Sequence, residues 1–376
     1  MDPIVLRQTI ELVFAFIFGS VVGSFLNVVI YRVPLGMSVN EPKRSFCPNC
    51  RTRIPVWLNI PLVTWLMLGG KCKWCKTRIS VRYFIVELLT AVLFLAVWHT
   101  FVGKIGYGGA FFYCVFMALL VAATFIDFDH FIIPDSITLG GLVAGLIASV
   151  AFPALHGEVS HWRGLWMAVV GAAAGYGLLW SVVNLGKLAF GKLNYEFDEP
   201  AEWTVTQPDP EENPVIAIGE HTKSWDDVFF RDSDRLVLTV SEFELNGERH
   251  EVAEVVLRGD KVEFGGETVA LEAVKSIRGR CTKAVVPREA MGFGDVKFIA
   301  MIGAFLGWQA VLFTVFAAAI AGSVIGLLQK AFAREEWSRP LPFGPYLTLG
   351  AVLWVFAGEA FLGWYLGLMG LATPRG

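Results

Sequence analysis

The feature that most constrains this chain is a succession of apolar runs, each about as long as a bilayer is thick. Crossing the hydrocarbon core as a helix takes about 20 mostly apolar residues. Runs of that kind cover residues 11–31, 83–101, 108–126, 137–152 and 164–189. Residues 296–332 are apolar for about twice a span's length and read as two helices turning near Gly307; a last run covers 344–368. The expected fold is an all-α polytopic membrane protein with about eight transmembrane helices, of which the sixth is the shortest. Composition agrees: 55% of the 376 residues are hydrophobic and 17% are charged, against about a quarter charged in soluble domains. The first run has no A-x-A cleavage site and other spans follow it, so it reads as a retained helix.

Charge sets the orientation and exposes an insertion. The segment from Arg32 to Arg82 carries ten Lys and Arg against one acid, Glu41. Basic loops stay cytoplasmic, so this loop faces inward. The span that ends in Asp127, the span that begins at Asp295 and the loop with Lys330, Arg334 and Arg339 then place these residues on the same side. The outward loops hold only Arg7, Lys104, Arg163 and Arg375. Within 191–291, 22 acidic residues face 12 basic ones, whereas the rest of the chain has 12 acidic and 19 basic. An acidic soluble block has been set into a basic membrane scaffold. Its first part, Glu196 to Pro214, is acidic and carries four prolines, which predicts a poorly ordered linker. From Arg235, apolar and polar residues alternate between the turn dipeptides Asn246-Gly247, Gly259-Asp260 and Gly265-Gly266. That pattern predicts a small all-β cytoplasmic domain, an antiparallel meander ending near Arg280.

Chemistry-bearing residues cluster in few places. Cys47-Pro-Asn-Cys50 and Cys72-Lys-Trp-Cys75 are two C-x-x-C pairs 21 residues apart in the basic loop. Four thiolates at that spacing suit a structural zinc ion; the competing readings are reduced free cysteines or a redox pair. Structural disulfides are disfavoured in a cytosolic loop. Cys114 and Cys281 stand alone and default to packing roles.

Carboxylates sit at the ends of spans. Asp127 follows an apolar run directly, and an ionisable group there is costly unless it faces a polar cavity. Asp129 reads as a solvated loop acid and Asp135, in Ile133-Pro134-Asp135, as a helix N-cap. Asp295 opens a span in Gly292-Phe293-Gly294-Asp295-Val296-Lys297, where the two glycines permit close backbone approach or merely a hinge. Two neighbouring carboxylates share a proton, so one can activate water while the other protonates a carbonyl. The sequence holds no G-x-S-x-G elbow, no H-E-x-x-H pair and no nucleotide-binding fingerprint, and its six histidines form no ligand cluster.

These motifs resemble those of the type IV prepilin peptidases, the prepilin leader peptidase/N-methyltransferases among the membrane G-x-G-D aspartyl proteases. The match runs through Gly23-Ser24-Phe25-Leu26-Asn27-Val28 with Tyr31-Arg32, the Cys47–Cys75 loop with Asn59-Ile60-Pro61 and Gly70-Lys71, and Ile126-Asp127 with Ile133-Pro134-Asp135. It continues through Gly292–Lys297, Gly303, Leu306-Gly307-Trp308 and Pro342-Phe343-Gly344-Pro345. The resemblance implies removal of the basic leader from type IV prepilins or type II secretion pseudopilins at the cytoplasmic face of the bacterial inner membrane. It maps the catalytic pair onto Asp127 and Asp295, with Gly292, Gly294, Asp129, Asp135 and Lys297 in support. It also implies N-methylation of the new N-terminus with S-adenosyl-L-methionine, an activity that goes with the zinc loop. No nucleic-acid partner is implied.

The chain then divides into a first helix (1–33), the zinc loop (34–82), helices two to five with Asp127 (83–190), the insertion (191–290) and the Gly-x-Gly-Asp part (291–376). Two departures stand out. Phe84 replaces a proline usual after the tyrosine, and the insertion occupies a loop that is short in relatives. Gating, docking of a pilus or secretion assembly component, and passive decoration are all compatible with it. A presenilin- or signal-peptide-peptidase-like protease would share Gly-x-Gly-Asp but not the zinc loop or Ile-Pro-Asp. A transporter would place its ionisable groups nearer the midplane.

Overall fold

The computed structural model describes residues 2–42, 45–47, 49–190, 192–206, 214–225, 228–229, 234–287, 292–333 and 342–370. The chain divides into two compact units, Met1–Trp180 with Gly292–Gly376, and Ser181–Met291.

The first unit is helical: α1 (Pro3–Arg32), the short α2 (Val63–Met67), α3 (Val81–His130), α4 (Asp135–Ala151), α5 (His161–Phe190, which runs on into the second unit), α6 (Phe293–Leu306), α7 (Trp308–Ala333) and α8 (Gly344–Leu368). Five of these, α1, α3, α5, α7 and α8, are long and apolar enough to cross a membrane. The chain is therefore a multi-pass membrane protein.

The runs expected as separate helices at 83–101 and 108–126 are indeed two helices; they follow one another within α3 and meet at a kink at Gly106, with φ 73° and ψ 174°. Only glycine adopts that conformation freely, so the joint is sharp and needs no loop. The apolar stretch after 291 divides at Gly307 as expected, into the 14-residue α6 and the 26-residue α7.

Helix α6 is short because it is central rather than lipid-facing. Val296, Phe298, Ile299, Met301, Ile302, Ala304 and Phe305 are all fully buried. Its neighbours approach to backbone distance: a Cβ on Gly303 would lie 2.1 Å from the carbonyl oxygen of Gly171 in α5. On another side Phe305 stacks on Phe116 of α3 with ring centroids 4.6 Å apart. A helix enclosed in this way is positioned by protein on every side, which suits the element that carries Asp295.

The second unit contains a nine-stranded sheet, β1 (Lys192–Thr206), β2 (Val215–Ile218), β3 (His221–Ser224), β4 (Leu236–Leu245), β5 (Glu248–His250), β6 (Glu254–Leu257), β7 (Lys261–Phe264), β8 (Glu267–Ala270) and β9 (Ile277–Pro287). All pairings are antiparallel, in the order β3-β2-β1-β9-β4-β6-β7-β8, with β5 on β4. The three anticipated turn dipeptides do join β4 to β5, β6 to β7 and β7 to β8.

Two expectations fail here. The stretch read as a linker from Glu196 is mostly strand: β1 extends to Thr206, and residues 207–213, with Pro208 and Pro210, lie outside the described residues. Two of its charges are matched across the ladder, Glu196 pairing with Lys283 at 2.7 Å and Glu202 with Arg280 at 3.4 Å. Pro200 falls where the β1–β9 register shifts between Glu196 and Ala201, a bulge that excuses its missing N–H. Nor is the sheet a simple meander ending near Arg280, because β9 continues to Pro287 and inserts between β1 and β4. The sheet core gathers Trp203, Leu236, Leu238, Phe243, Val255 and Leu257. Cys281 is fully buried there, and burial pushes its thiol up to about 11, as befits a packing residue.

Candidate active site

Asp127 stands in the last turn of α3 and Asp295 in the first turn of α6; both are buried, at 5% and 8% exposure. The Asp127 Oδ2 accepts a hydrogen bond from the Gly344 amide at the start of α8, 2.9 Å away. The fit is close: a Cβ on Gly344 would sit 2.8 Å from that oxygen. Asp295 is brought to the same junction through Ile133: a Cβ on Gly344 would meet Ile133 at 3.0 Å as well as Asp127, and Gly294, next to Asp295, lies against the Ile133 backbone. The Asp295 Oδ1 is buried without a hydrogen-bond partner among the described residues. Such an atom is costly unless something binds it.

The two glycines do different work. Gly292 is the N-cap of α6, while Gly294 lets that turn lie against the Ile133 backbone, its would-be Cβ 3.2 Å from the Ile133 carbonyl oxygen. The segment holding Ile-Pro-Asp is thereby pressed against the turn holding Asp295.

The supporting residues arrange themselves around this junction. Asp135 is not the N-cap expected of it: Pro134 takes that position, and Asp135, in the first turn of α4, accepts from Lys297 Nζ at 2.6 Å. Lys297 also lies over the Phe293 ring, 5.3 Å from its centroid. Asp129 pairs with Arg82 at the start of α3, so both ends of that folded helix meet on the acid-pair side. Gly344 was legible only as part of a motif; that its amide reaches Asp127, 217 positions away, is a tertiary fact.

The four cysteines form a second centre. Their sulfurs all lie within 4.8 Å of one another, Cys47 to Cys75 at 3.7 Å and Cys50 to Cys72 at 4.0 Å. A tetrahedral zinc with Zn–S of about 2.3 Å holds its sulfurs about 3.8 Å apart, so the donor set fits zinc.

The knuckles are an internal repeat that sequence reading missed. Cys-x-x-Cys-Arg-Thr-Arg-Ile from Cys47 and Cys-x-x-Cys-Lys-Thr-Arg-Ile from Cys72 could have revealed it. Both close by the same hydrogen bonds, Cys47 N to Thr52 O at 3.0 Å and Cys72 N to Thr77 O at 2.9 Å. Both also turn through a left-handed residue, Arg51 or Lys76. The Thr77 hydroxyl and amide hold the Cys75 thiol down to about 5, and Thr52 lowers Cys50 in the same way. The Cys50 backbone lowers Cys47 too, but burial and the adjoining thiols outweigh it and push that thiol up to about 11. A cation among the four sulfurs favours the thiolate in each.

Fold and site together define a multi-pass membrane protein with a buried acid pair and a cysteine knuckle. The model of the family described as Type IV leader peptidase matches residues 114–193 and 269–327, and that of the Bacterial Peptidase A24 N-terminal domain matches residues 17–101. The chain belongs to the type IV prepilin peptidase family. The gap in the first match falls within the inserted sheet. Among relatives, the prepilin leader peptidase/N-methyltransferase of Aeromonas hydrophila is 29% identical over 374 residues, covering 93% of this chain and 92% of that protein. That of Pseudomonas aeruginosa is 28% identical over 375 residues, 94% and 92% of the two chains. The Neisseria gonorrhoeae protein of the same name is 41% identical over 202 residues, 47% of this chain and 66% of that one. No solved structure matches the chain.

Proposed function

We propose that this chain is a membrane aspartyl endopeptidase that removes the leader peptide from type IV prepilins or pseudopilins and then methylates the new N-terminus. The observation that carries the first half is the buried meeting of α3, α6 and α8, where Asp127 is fixed by the Gly344 amide opposite Asp295. Like charges this close hold one proton between them. The ionised carboxylate takes a proton from water as its oxygen attacks the scissile carbonyl carbon; the protonated one gives its proton to the carbonyl oxygen. Collapse of the tetrahedral intermediate breaks the C–N bond, and the amine leaves with a proton returned from the pair. Gly344 orients one carboxylate, and the Lys297–Asp135 bridge ties α6 to α4 beside the other.

Cys47, Cys50, Cys72 and Cys75 hold a structural zinc that shapes the loop. S-adenosyl-L-methionine, when bound, supplies a methyl group that the freed amine takes, the C–S electrons returning to sulfur and the amine proton passing to water.

Eight crossings are counted if α3 contributes two and the shorter α4 and α6 one each. The ten basic residues of the 32–82 loop against one acid then support a cytoplasmic site in the bacterial inner membrane.

The test uses a pilin-like substrate with a basic leader, a Gly-Phe junction and an apolar helix. Asp127→Asn and Asp295→Asn are each expected to abolish processing; parental rates in both reject the pair. Zinc per chain should fall in a Cys47→Ser/Cys72→Ser variant, and unchanged stoichiometry rejects the four-sulfur site.

A further inference from the structure

The geometry points to a methyl-donor site in the cavity enclosed by α1, the start of α3 and the cysteine loop, with Glu87 as its cation-facing group. The inference rests on the methyltransferase half of the proposed function and assigns it a place. The cavity holds about 410 Å³ and is walled largely by apolar surface, Trp65, Trp74 and Tyr83 among its residues. That is the size class that takes a ligand of several rings and chains rather than an ion.

Three features go beyond an apolar hollow. Glu87, 9% exposed, is the one acid on the cavity wall among the described residues, and it is buried in the part of α3 that packs against α1. One of its oxygens, Oε2, accepts from the Leu62 amide at 2.7 Å, which fixes the carboxylate's direction. Asn27, 4% exposed, spends its amide nitrogen on the Tyr83 carbonyl at 3.1 Å, and its Oδ1 has no partner among the described residues. The Trp65 Nε1, on the same wall, is likewise buried and unpartnered. An unpaired acceptor and an unpaired donor thus belong to residues of one cavity wall, and a ligand with both kinds of polar edge matches them.

S-adenosyl-L-methionine matches this set. Its purine has donor and acceptor edges and a face for the indoles. Its sulfonium and α-ammonium are cations that aromatic faces and a lone carboxylate attract. Lys73 and Arg78, also on the wall, suit its carboxylate. Position fits as well. Ser80 lines the cavity, and Arg82, two residues on, pairs with Asp129, itself two residues from Asp127. The amine freed by cleavage thus emerges at the end of the bundle where the cavity lies.

The test measures binding to the full detergent-solubilised chain. S-adenosyl-L-methionine and its neutral product S-adenosylhomocysteine are titrated calorimetrically into the parent and into Glu87→Gln, which keeps an acceptor for Leu62 but drops the charge. The expected result is a loss of about tenfold or more for the cationic donor, the scale of one charge-assisted contact, and a smaller loss for the product. Ultraviolet cross-linking of radiolabelled donor to the parent chain, which needs no variant, should label peptides from 27–32 or 59–87. Saturable binding with equal affinity in both proteins, or label elsewhere in the chain, overturns this placement while leaving dual activity standing. A parent chain that neither binds the donor nor methylates its substrate overturns the dual activity itself, and the cavity assignment with it.

Discussion

The helical unit and the inserted sheet both bury apolar side chains, but they expose opposite kinds, and the helical unit also buries charged ones. On α7, Phe316 is 65% exposed and Leu327 equally so, while the buried polar and charged residues of the unit include Asn27, Glu87, Asp127 and Asp295. In the sheet, Leu236, Leu238, Val255 and Leu257 are fully enclosed, and charged residues such as Glu244 and Arg278 pair on the outside at 2.9 Å. The first unit is arranged for hydrocarbon outside and polar chemistry inside; the second is arranged for water. The lesson is that exposure alone does not tell stability from liability: the solvent does.

The sharpest way to test that contrast is to neutralise the chemistry inside the helical unit. Asp295→Asn should lower leader cleavage by about a thousandfold or more, the scale of losing acid–base catalysis, with membrane insertion unchanged, as read by protease protection. Next in size is the sheet core. Trp203→Ala should cost the domain about 3–5 kcal/mol, seen as faster hydrogen exchange in β1 and β9, while cleavage stays near parental; a matching fall in cleavage would mean the two units are energetically one.

Phe316→Asp should cost about 3 kcal/mol at a lipid-facing site, measured as reduced membrane integration. Thr222→Asp, at an exposed position on edge strand β3, should change stability by under about 0.5 kcal/mol. Equal penalties at the two would erase the distinction. Smaller still in stability is Gly344→Ala. It should leave the fold intact yet slow cleavage by about 10- to 100-fold, because a Cβ 2.8 Å from Asp127 Oδ2 must move that carboxylate. A fifth handle is acid: zinc should leave the knuckle as pH falls, since protons compete with the metal for the thiolates. Zinc content that stays constant throughout an acid titration of the folded chain would argue against a thiolate site.

Much of this was legible residue by residue. Apolar run length announced the helices, turn dipeptides announced three hairpins, and cysteine spacing announced the knuckle, because each signal is local and repeats with the period of its element. The misreadings came where pairing is nonlocal. Acidic, proline-bearing β1 looks like a linker until β9, some 80 residues on in sequence, supplies the opposing lysine and arginine. Asp135 looks like a cap until Lys297 reaches it from α6.

By itself, then, the sequence determined that the chain spans a membrane, carries a soluble insert, and offers a four-thiol loop and two acids at helix ends. Hydrophobic length, composition and spacing are additive properties that need no partner to be read. Only the tertiary structure decided that α6 lies enclosed at the centre, that the Gly344 amide fixes Asp127, and that Asn27 and Glu87 share one cavity with Trp65. Those facts depend on which helices meet, and backbone approach at Gly171, Gly294, Gly303 and Gly344 is what lets them meet so closely.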